Sequence, residues 1–548
     1  MVRDLGYQIL GGRELRKQPH IIIFNPDEMR WNTMGHMGNP AAVTPFLDEF
    51  AAREGVSFSN AFCQNTVCVP SRCSFFTGLY PHVNGHRTMS HLLHPGESNL
   101  FSELRDAGYY VWMNARNDLF AGQIEGWAES NADEIFYGGN VPEASGPIHP
   151  ADHQGKDKYS HFEGKLGLDK NGRNYSSDDE DVDAAIHKIR EYDGEQPLCL
   201  FLGLNDPHVP YQVEEPYFSA IDRTKLPRRI DAKECTGKAK MLDLIRQYQN
   251  MGDYTEEDWG ELTATYLGMC TKVDSQFRRL CQALKEKGIY DDCLIFFFSD
   301  HGDFAGDYGL TEKAQNTFED CLTRIPLLIK PPKEKKDPKL AMGICGALTE
   351  LVDFYATAID YAGADPKRTH FGKSLRPILE KETSENRSYV FCEGGRLPEE
   401  IHCDEFHASG PSGPPESFVY WPKMKAQSDG TAHAKGTMIR DKQYKYVSRI
   451  TGEDEFYDME QDPDEMHNQI QNPVYKEKIM EMQVELMRWY QRTCDVVPHT
   501  YDRRFTNKML WARVRPLCPP EHEEEVKEKI RGGIKQGILI QYLKTLKK

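Results

Sequence analysis

The chain has 548 residues, a formal net charge of −18 and a mean hydropathy of −0.65. The length exceeds what one compact core usually spans, so a large domain with a smaller companion is expected. The acidity excludes nucleic-acid binding by bulk electrostatics, and no apolar run approaches a membrane span. An anionic substrate would therefore need cations gathered locally in a pocket.

The lead MVRDLGYQILGGRELRKQPH has neither a continuous apolar segment nor a small-residue cleavage site, so no secretion signal is expected. HIIIFN (20–25) reads as a buried strand stopping at Pro26, and TPFLDEFAAREG (44–55) as a helix with Thr44 at its N-cap and a closing glycine. In the stretch beginning NTVCVPSRCSFFTG (65–78), Pro70 suits the first turn of a helix. Cys68 then falls just ahead of the helix start, where free amides and the dipole favour anions. Cys73 reads as core filling.

YYVWM (109–113), LCLFLGL (198–204), CLIFFFS (293–299) and IPLLIK (325–330) are further apolar runs of strand length. Helical patterns lie between them at 181–193, 261–288 and 348–363. This alternation predicts an α/β fold, a large mostly parallel sheet sandwiched by helices. Sites in such folds gather beyond the carboxyl ends of strands. The polar clusters NPDE, NDPH and SDHGD each follow a strand in that way.

From about residue 380 the texture changes. Residues 435–463 read as three short strands of an antiparallel sheet, with an amphipathic helix over 474–493 to pack on it. The last stretch, from 521, is helix-like but broken at Gly532 and Gly533, and suits either a contact with a neighbouring subunit or a solvated helix. The expected division is a lead (1–18), a catalytic α/β domain (19–380), a smaller C-terminal α+β subdomain (381–495) and a tail (496–548) that serves homo-oligomerisation. Cys199, Cys270, Cys281 and Cys293 sit in apolar runs and no CxxC pair occurs, so a reduced, cytoplasmic protein is expected.

Cys68-Val69-Pro70-Ser71-Arg72, continued by Thr77-Gly78, resembles the signature of the formylglycine-dependent (type I) sulfatases. These belong to the alkaline phosphatase-like superfamily, as do the related phosphonate monoester hydrolases. Four specified residues at fixed spacing arise by chance on the order of once per hundred thousand positions. The resemblance implies that a maturation enzyme oxidises Cys68 to formylglycine, whose hydrate attacks sulfur and then collapses to the aldehyde, expelling sulfate. It implies a divalent metal held by Asp27, Glu28, residue 68, Asp300 and His301. Oxygen donors with one imidazole suit Ca²⁺ first, with Mg²⁺ or Mn²⁺ as alternatives. Glu28 departs from the usual Asp or Gln.

The same resemblance makes Arg72 a catalytic cation at residue 68. His208, in Asp206-Pro207-His208-Val209-Pro210, and Lys313, in Thr311-Glu312-Lys313, become sulfate-binding and proton-donating groups. Arg324 braces the fold. Where sulfatases commonly carry Gly-Lys-Trp-His, this chain has Ala115-Arg116-Asn117-Asp118. Arg116 keeps a cation with a bidentate fork, and Asp118 puts a carboxylate near the substrate. The implied activity is hydrolysis of a sulfate monoester, its alcohol a small sulfated carbohydrate. A phosphonate or phosphate ester hydrolase with the same site is the first alternative, and an inactive anion-binding member the second. His86, Arg87, His91 and the polar loop 393–418 are candidates for the mouth, or for plain solvated surface.

Overall fold

The computed structural model describes residues 18–139, 158–169, 171–333, 340–408, 420–499 and 503–546. The lead up to residue 17 and the part of the expected mouth at 409–418 lie outside them. The described residues form two compact units, one reaching Pro366 and resuming over His370–Val496, the other joining Lys367–Thr369 to Val497 and beyond.

Ile21, Ile22, Ile23 and Phe24 are wholly buried, which a strand achieves only when both its faces are covered. Burying each such side chain contributes roughly 1.5–3 kcal/mol. This run is β1 (His20–Asn25), and it lies inside a sheet built from the next nine strands less two. These are β2 (Val56–Phe62), β3 (Tyr110–Asn114), β4 (Glu134–Phe136), β5 (Phe162–Lys165), β6 (Leu198–Gly203), β7 (Tyr211–Val213), β8 (Cys293–Phe298), β9 (Leu327–Lys330) and β10 (Gly343–Glu350). The sheet order is β10-β2-β9-β8-β1-β6-β3-β4, while β5 and β7 pair separately. Every strand of the large sheet runs one way except β9, which is antiparallel to β2 and β8.

Alternation along β1 sends its side chains to two cores. Ile21 and Ile23 pack with Val69, Phe75 and Phe76 of the helix Cys68–Thr77 and with Phe354 and Ala358 of the helix Val352–Ala362. Ile22 and Phe24 pack with residues of the helices Pro45–Arg53, Ser177–Glu191 and Glu256–Lys287. Two of these helices begin earlier than their apolar pattern shows. Ser176 and Thr255 each accept a hydrogen bond from the third helical N–H and donate their own N–H to the side chain of that residue, Asp179 or Asp258, fixing the starts at 177 and 256.

Two boundaries correct the sequence reading. Leu348–Glu350 pair with Asn60–Phe62 in the sheet, so the helix expected from 348 begins only at Val352. Strand pairing with β2 overrides the local helical pattern there. The C-terminal sheet has four strands rather than three: β11 (Val390–Gly394) precedes β12 (Gly436–Arg440), β13 (Tyr444–Arg449) and β14 (Glu455–Asp458), all antiparallel. As expected, an amphipathic helix packs on it. Met482, Leu486 and Trp489 of Lys476–Thr493 meet Phe391, Ile439, Tyr446 and Phe456.

In the second unit the helices Asn507–Val514, Glu523–Arg531 and Gln536–Thr545 share an apolar core of Leu510, Val514, Val526, Ile530, Leu539 and Leu543. The break falls at Gly532 and Gly533, the latter at φ +86°. No described helix is long and apolar enough to cross a membrane.

Candidate active site

The carboxyl ends of four adjacent strands supply most of the site. Asp27 and Glu28 follow β1, Asp300 and His301 follow β8, the loop bearing His208 follows β6, and Arg116 and Asp118 follow β3. Residue 68 arrives from β2 through a pinned turn. Asn65 donates to the Glu393 carbonyl at 2.7 Å, Thr66 to the Ala314 carbonyl at 2.6 Å, and Asn65 Oδ1 accepts from the Val67 N–H.

Cys68 is the first residue of its helix rather than the residue ahead of it. Pro70 is tolerated at the third position because no first-turn N–H has a helical acceptor. The helix closes at Gly78, φ +68°, where a Cβ would stand 2.7 Å from the Tyr355 ring. All ten of its residues are buried.

Asp27, Cys68, Asp300 and His301, all buried, bring one ligand atom each within 4.8 Å of the others. The hydrogen bonding explains which atoms. Asp27 spends Oδ2 on Arg72 Nη2 (3.1 Å) and Arg116 Nη2 (2.6 Å), and Asp300 spends Oδ2 on Arg72 Nε (2.9 Å). Each Oδ1 is turned to a shared point, that of Asp300 while also accepting from the N–H groups of Glu28 and His301. His301 Nδ1 faces the Gly302 carbonyl at 3.0 Å, so it carries the proton and Nε2 offers a lone pair inward.

The Cys68 Sγ lies 3.3 Å from His301 Nε2 and 3.5 Å from Asp27 Oδ1, and Nε2 lies 3.7 and 3.8 Å from the Oδ1 atoms of Asp27 and Asp300. Two donors about 2.4 Å from one ion and at a right angle stand roughly 3.4 Å apart, so the spacing and the oxygen-rich set fit a hard divalent cation.

Burial alone would raise the Asp27 carboxyl, but Arg116, His208, Arg72 and Lys313 hold it well below the usual range. Burial, with Asp27 and Asp300 beside it, pushes the Cys68 thiol well up. Arg72 itself is fully buried, and its remaining Nη1 has no partner among the described residues.

Glu28 sits at φ +68°, locked by its N–H on Asp300 Oδ1 (3.2 Å) and its carbonyl on the Tyr266 hydroxyl (2.8 Å). Non-glycine residues held there are strained, and such strain collects at functional sites. Its carboxyl meets Lys313 Nζ at 3.0 Å and His208 Nε2 at 3.5 Å, outside the four-atom cluster, although Asp27, Glu28 and His208 form a second group within 4.8 Å. Burial, reinforced by Asp303 and Glu312, raises the Glu28 carboxyl despite Lys313.

Lys313 Nζ also stands 2.7 Å from His208 Nε2, while His208 Nδ1 faces the Val209 carbonyl at 2.8 Å. His208 therefore carries its proton on Nδ1 and accepts from the lysine. Burial and Lys313 lower it to about 3, so it is neutral at ordinary pH.

Asp118, at φ +46° and a third exposed, lies 3.8 Å from Arg72 Nε; that pairing, rather than one with Arg116, is its contact within ion-pair range. Arg324 packs over the Trp31 ring at 3.6 Å and donates to the Ser59 carbonyl, away from the cluster. Among the candidates for the mouth, Arg87 pairs with Glu400 at 2.7 Å and His86 with Glu97 at 3.0 Å.

Several contributors had no mark in the sequence reading. Ser71 Oγ donates to the Asp300 carbonyl at 2.7 Å, Asp178 receives the N–H groups of Asn205 and Asp206, and Tyr211 bridges Asp303 and the Glu312 N–H. Ser71 and Asp303 stand inside CVPSR and SDHGD, and that position is their signal. Asp178 and Tyr211 carry no such signal.

A mostly parallel sheet with a buried acid–imidazole cluster beyond its carboxyl edge is the arrangement expected of the alkaline phosphatase-like class. The model of the sulfatase family matches residues 19–364. The chain is 25% identical over 527 residues to the multifunctional alkaline phosphatase superfamily protein PehA of Trinickia caryophylli, covering 86% of this chain and 95% of that one. It is 24% identical over 541 residues to an N-acetylglucosamine-6-O-sulfatase of Bacteroides thetaiotaomicron, covering 88% and 87%. The solved phosphonate monoester hydrolase of Agrobacterium radiobacter superposes with a TM-score of 0.66 at 21% identity, covering 87% and 96%. The chain belongs to the sulfatase family and is a sulfuric ester hydrolase.

Proposed function

We propose that the protein hydrolyses a small sulfated carbohydrate to its alcohol and inorganic sulfate, with residue 68 as formylglycine. The observation that carries this reading is the convergence of Asp27, Cys68, Asp300 and His301 on one buried point, ringed by Arg72, Arg116 and Lys313. Converted by a maturation enzyme, residue 68 supplies an aldehyde hydrate as the nucleophile. A divalent cation held by Asp27, Asp300, His301 and residue 68, Ca²⁺ first, supplies positive charge against the sulfuryl oxygens when bound.

The chain's own residues do the rest. Arg72 aligns both carboxylates and keeps one buried N–H pair for the anion. Arg116 and Lys313 flank the same space and stabilise charge that grows in the transition state. Neutral His208 lies on Lys313, so a proton can pass from the ammonium through either group to the leaving oxygen. Glu28 orients that pair, and Asp118 faces the alcohol. The carbohydrate preference is supported by the similarity to an N-acetylglucosamine-6-O-sulfatase and by the polar stretch 393–408.

The similarity to PehA and the Arg116/Asp118 pair favour a second reading, a phosphonate or phosphate ester hydrolase. Comparing kcat/KM on nitrophenyl sulfate, sulfated glucosamines and a phenylphosphonate ester separates the two. Higher kcat/KM on the phosphonate would replace the first reading.

All fourteen cysteines are free, which supports a reducing, cytoplasmic setting. The C-terminal three-helix unit is the proposed contact between subunits. A chain ending at 496 that keeps the parent's number of subunits in light scattering would refute that.

A further inference from the structure

Beyond Lys313 the buried charges continue in a line that the hydrolytic reading leaves unused. Glu312 Oε1 lies 3.1 Å from Lys313 Nζ, and the same oxygen accepts from Lys423 Nζ at 2.7 Å. Lys423 comes from the short helix Trp421–Gln427, far along the chain, yet all three side chains are buried. The Glu312 backbone is pinned. It sits at φ +65°, its N–H is held by the Tyr211 hydroxyl at 2.9 Å, and its carbonyl accepts from the Phe304 N–H at 3.1 Å.

In a water-poor interior a lone carboxylate 3 Å from an ammonium would dominate its orientation. Here Lys313 must also reach His208 Nε2 and Glu28 Oε2. The geometry points to Lys423 as a positioning residue. It takes up the charge of Glu312, so that the Lys313 ammonium stays turned to His208 and to the substrate anion. This rests on the sulfate-ester reading, which gives Lys313 an anion to serve.

The test compares the parent, Lys423→Met, Lys423→Arg and the double variant Lys423→Met/Glu312→Gln in full-length protein. Two readouts are taken: kcat and KM on nitrophenyl sulfate, and affinity for inorganic sulfate by calorimetry. Removing Lys423 leaves Glu312 chiefly to Lys313, with His161 the other group acting on it, and kcat/KM is expected to fall roughly 10- to 100-fold, with sulfate affinity falling about tenfold. Lys423→Arg keeps most of both. The double variant recovers about tenfold over the single one, because the competing carboxylate is gone.

A residue that merely held the fold would leave the double variant no better than the single. That result, or parental kcat/KM in Lys423→Met, overturns the assignment. Should Lys423→Met fail to fold, the double variant strands no buried charge, and a double variant crippled beside Lys423→Arg overturns the assignment equally. A parent that neither cleaves nor binds sulfate overturns the hydrolase reading itself, a pattern distinct from the others.

Discussion

The site has two halves that differ in how they are built. The inner half, Asp27, Arg72, Asp300 and His301 around residue 68, stands on strand ends and one helix and is entirely buried. The outer half, Arg116, Asp118, His208, Glu312 and Lys313, stands on loops; His208, Lys313 and Glu312 are aligned by one another, while Arg116 and Asp118 rest on Asp27 and Arg72 of the inner half. Rigid elements fix the inner half, where the proposed nucleophile and cation would have to meet within fractions of an ångström. Loops can vary the outer half with the alcohol that leaves. The inner half should thus govern whether any ester is cleaved, and the outer half which one.

The sharpest break in that comparison is Cys68→Ser. Multiple turnover on every sulfate ester should fall on the order of 10³-fold or more, because a sulfated serine has no second hydroxyl to expel sulfate. Steady-state kinetics after the first turnover reads this, and parental turnover would sink the inner half as described. Asp300→Asn weakens the cluster and frees Arg72, so activity should fall about 10²-fold, with part of it recovered by added Ca²⁺. Calorimetric titration of Ca²⁺ into chelator-treated parent and variant gives the matching affinities.

His208→Gln probes the outer half selectively. Loss of proton donation should cost roughly 10²-fold on alkyl or sugar sulfates and much less on nitrophenyl sulfate, whose leaving group needs no proton. Equal losses on both would remove the distinction between the halves. Arg116→Lys keeps the charge but not the fork that serves Asp27 and the Leu204 carbonyl, and should cost about tenfold in kcat/KM.

A separate effect concerns stability behind the outer half, where buried His433 holds Gln315 at 2.8 Å. Burial and Arg396 lower His433 to about 3, far below its unfolded value, so the fold requires the neutral ring. The unfolded chain binds the extra proton; stability from this residue is therefore complete above about pH 6.5 and lost as pH falls toward 3. Between pH 7 and pH 5 that amounts to about 2 kcal/mol. His433→Gln should shrink the pH dependence of the urea midpoint by a corresponding amount.

The sequence exposes members of both halves, at strand ends and through the family resemblance, but not how the outer ones pair. Asp27, Cys68, Asp300 and His301 stand at fixed offsets from strand ends or within a helix start, so local pattern locates them. The same logic found β1, β6 and β8, whose buried faces demand unbroken apolar runs. It missed β2 and β10, where serine, asparagine and glycine interrupt the run, and β11, which is completed only by pairing with β12. It could not see that β9 runs against its neighbours, because direction is set by the connection and not by the strand's residues. Lys423 was invisible for a related reason: its partner lies more than a hundred positions earlier, and nothing in WPKMKAQ marks a lysine that will be buried on a carboxylate.

The proposed chemistry depends most on what residue 68 becomes. Protein produced together with a formylglycine-generating enzyme, purified for sulfatase activity and digested, gives a peptide whose mass reads that side chain directly. An aldehyde at 68, in proportion to specific activity across preparations, is the predicted result. Full activity from material whose peptide still carries the thiol would contradict it.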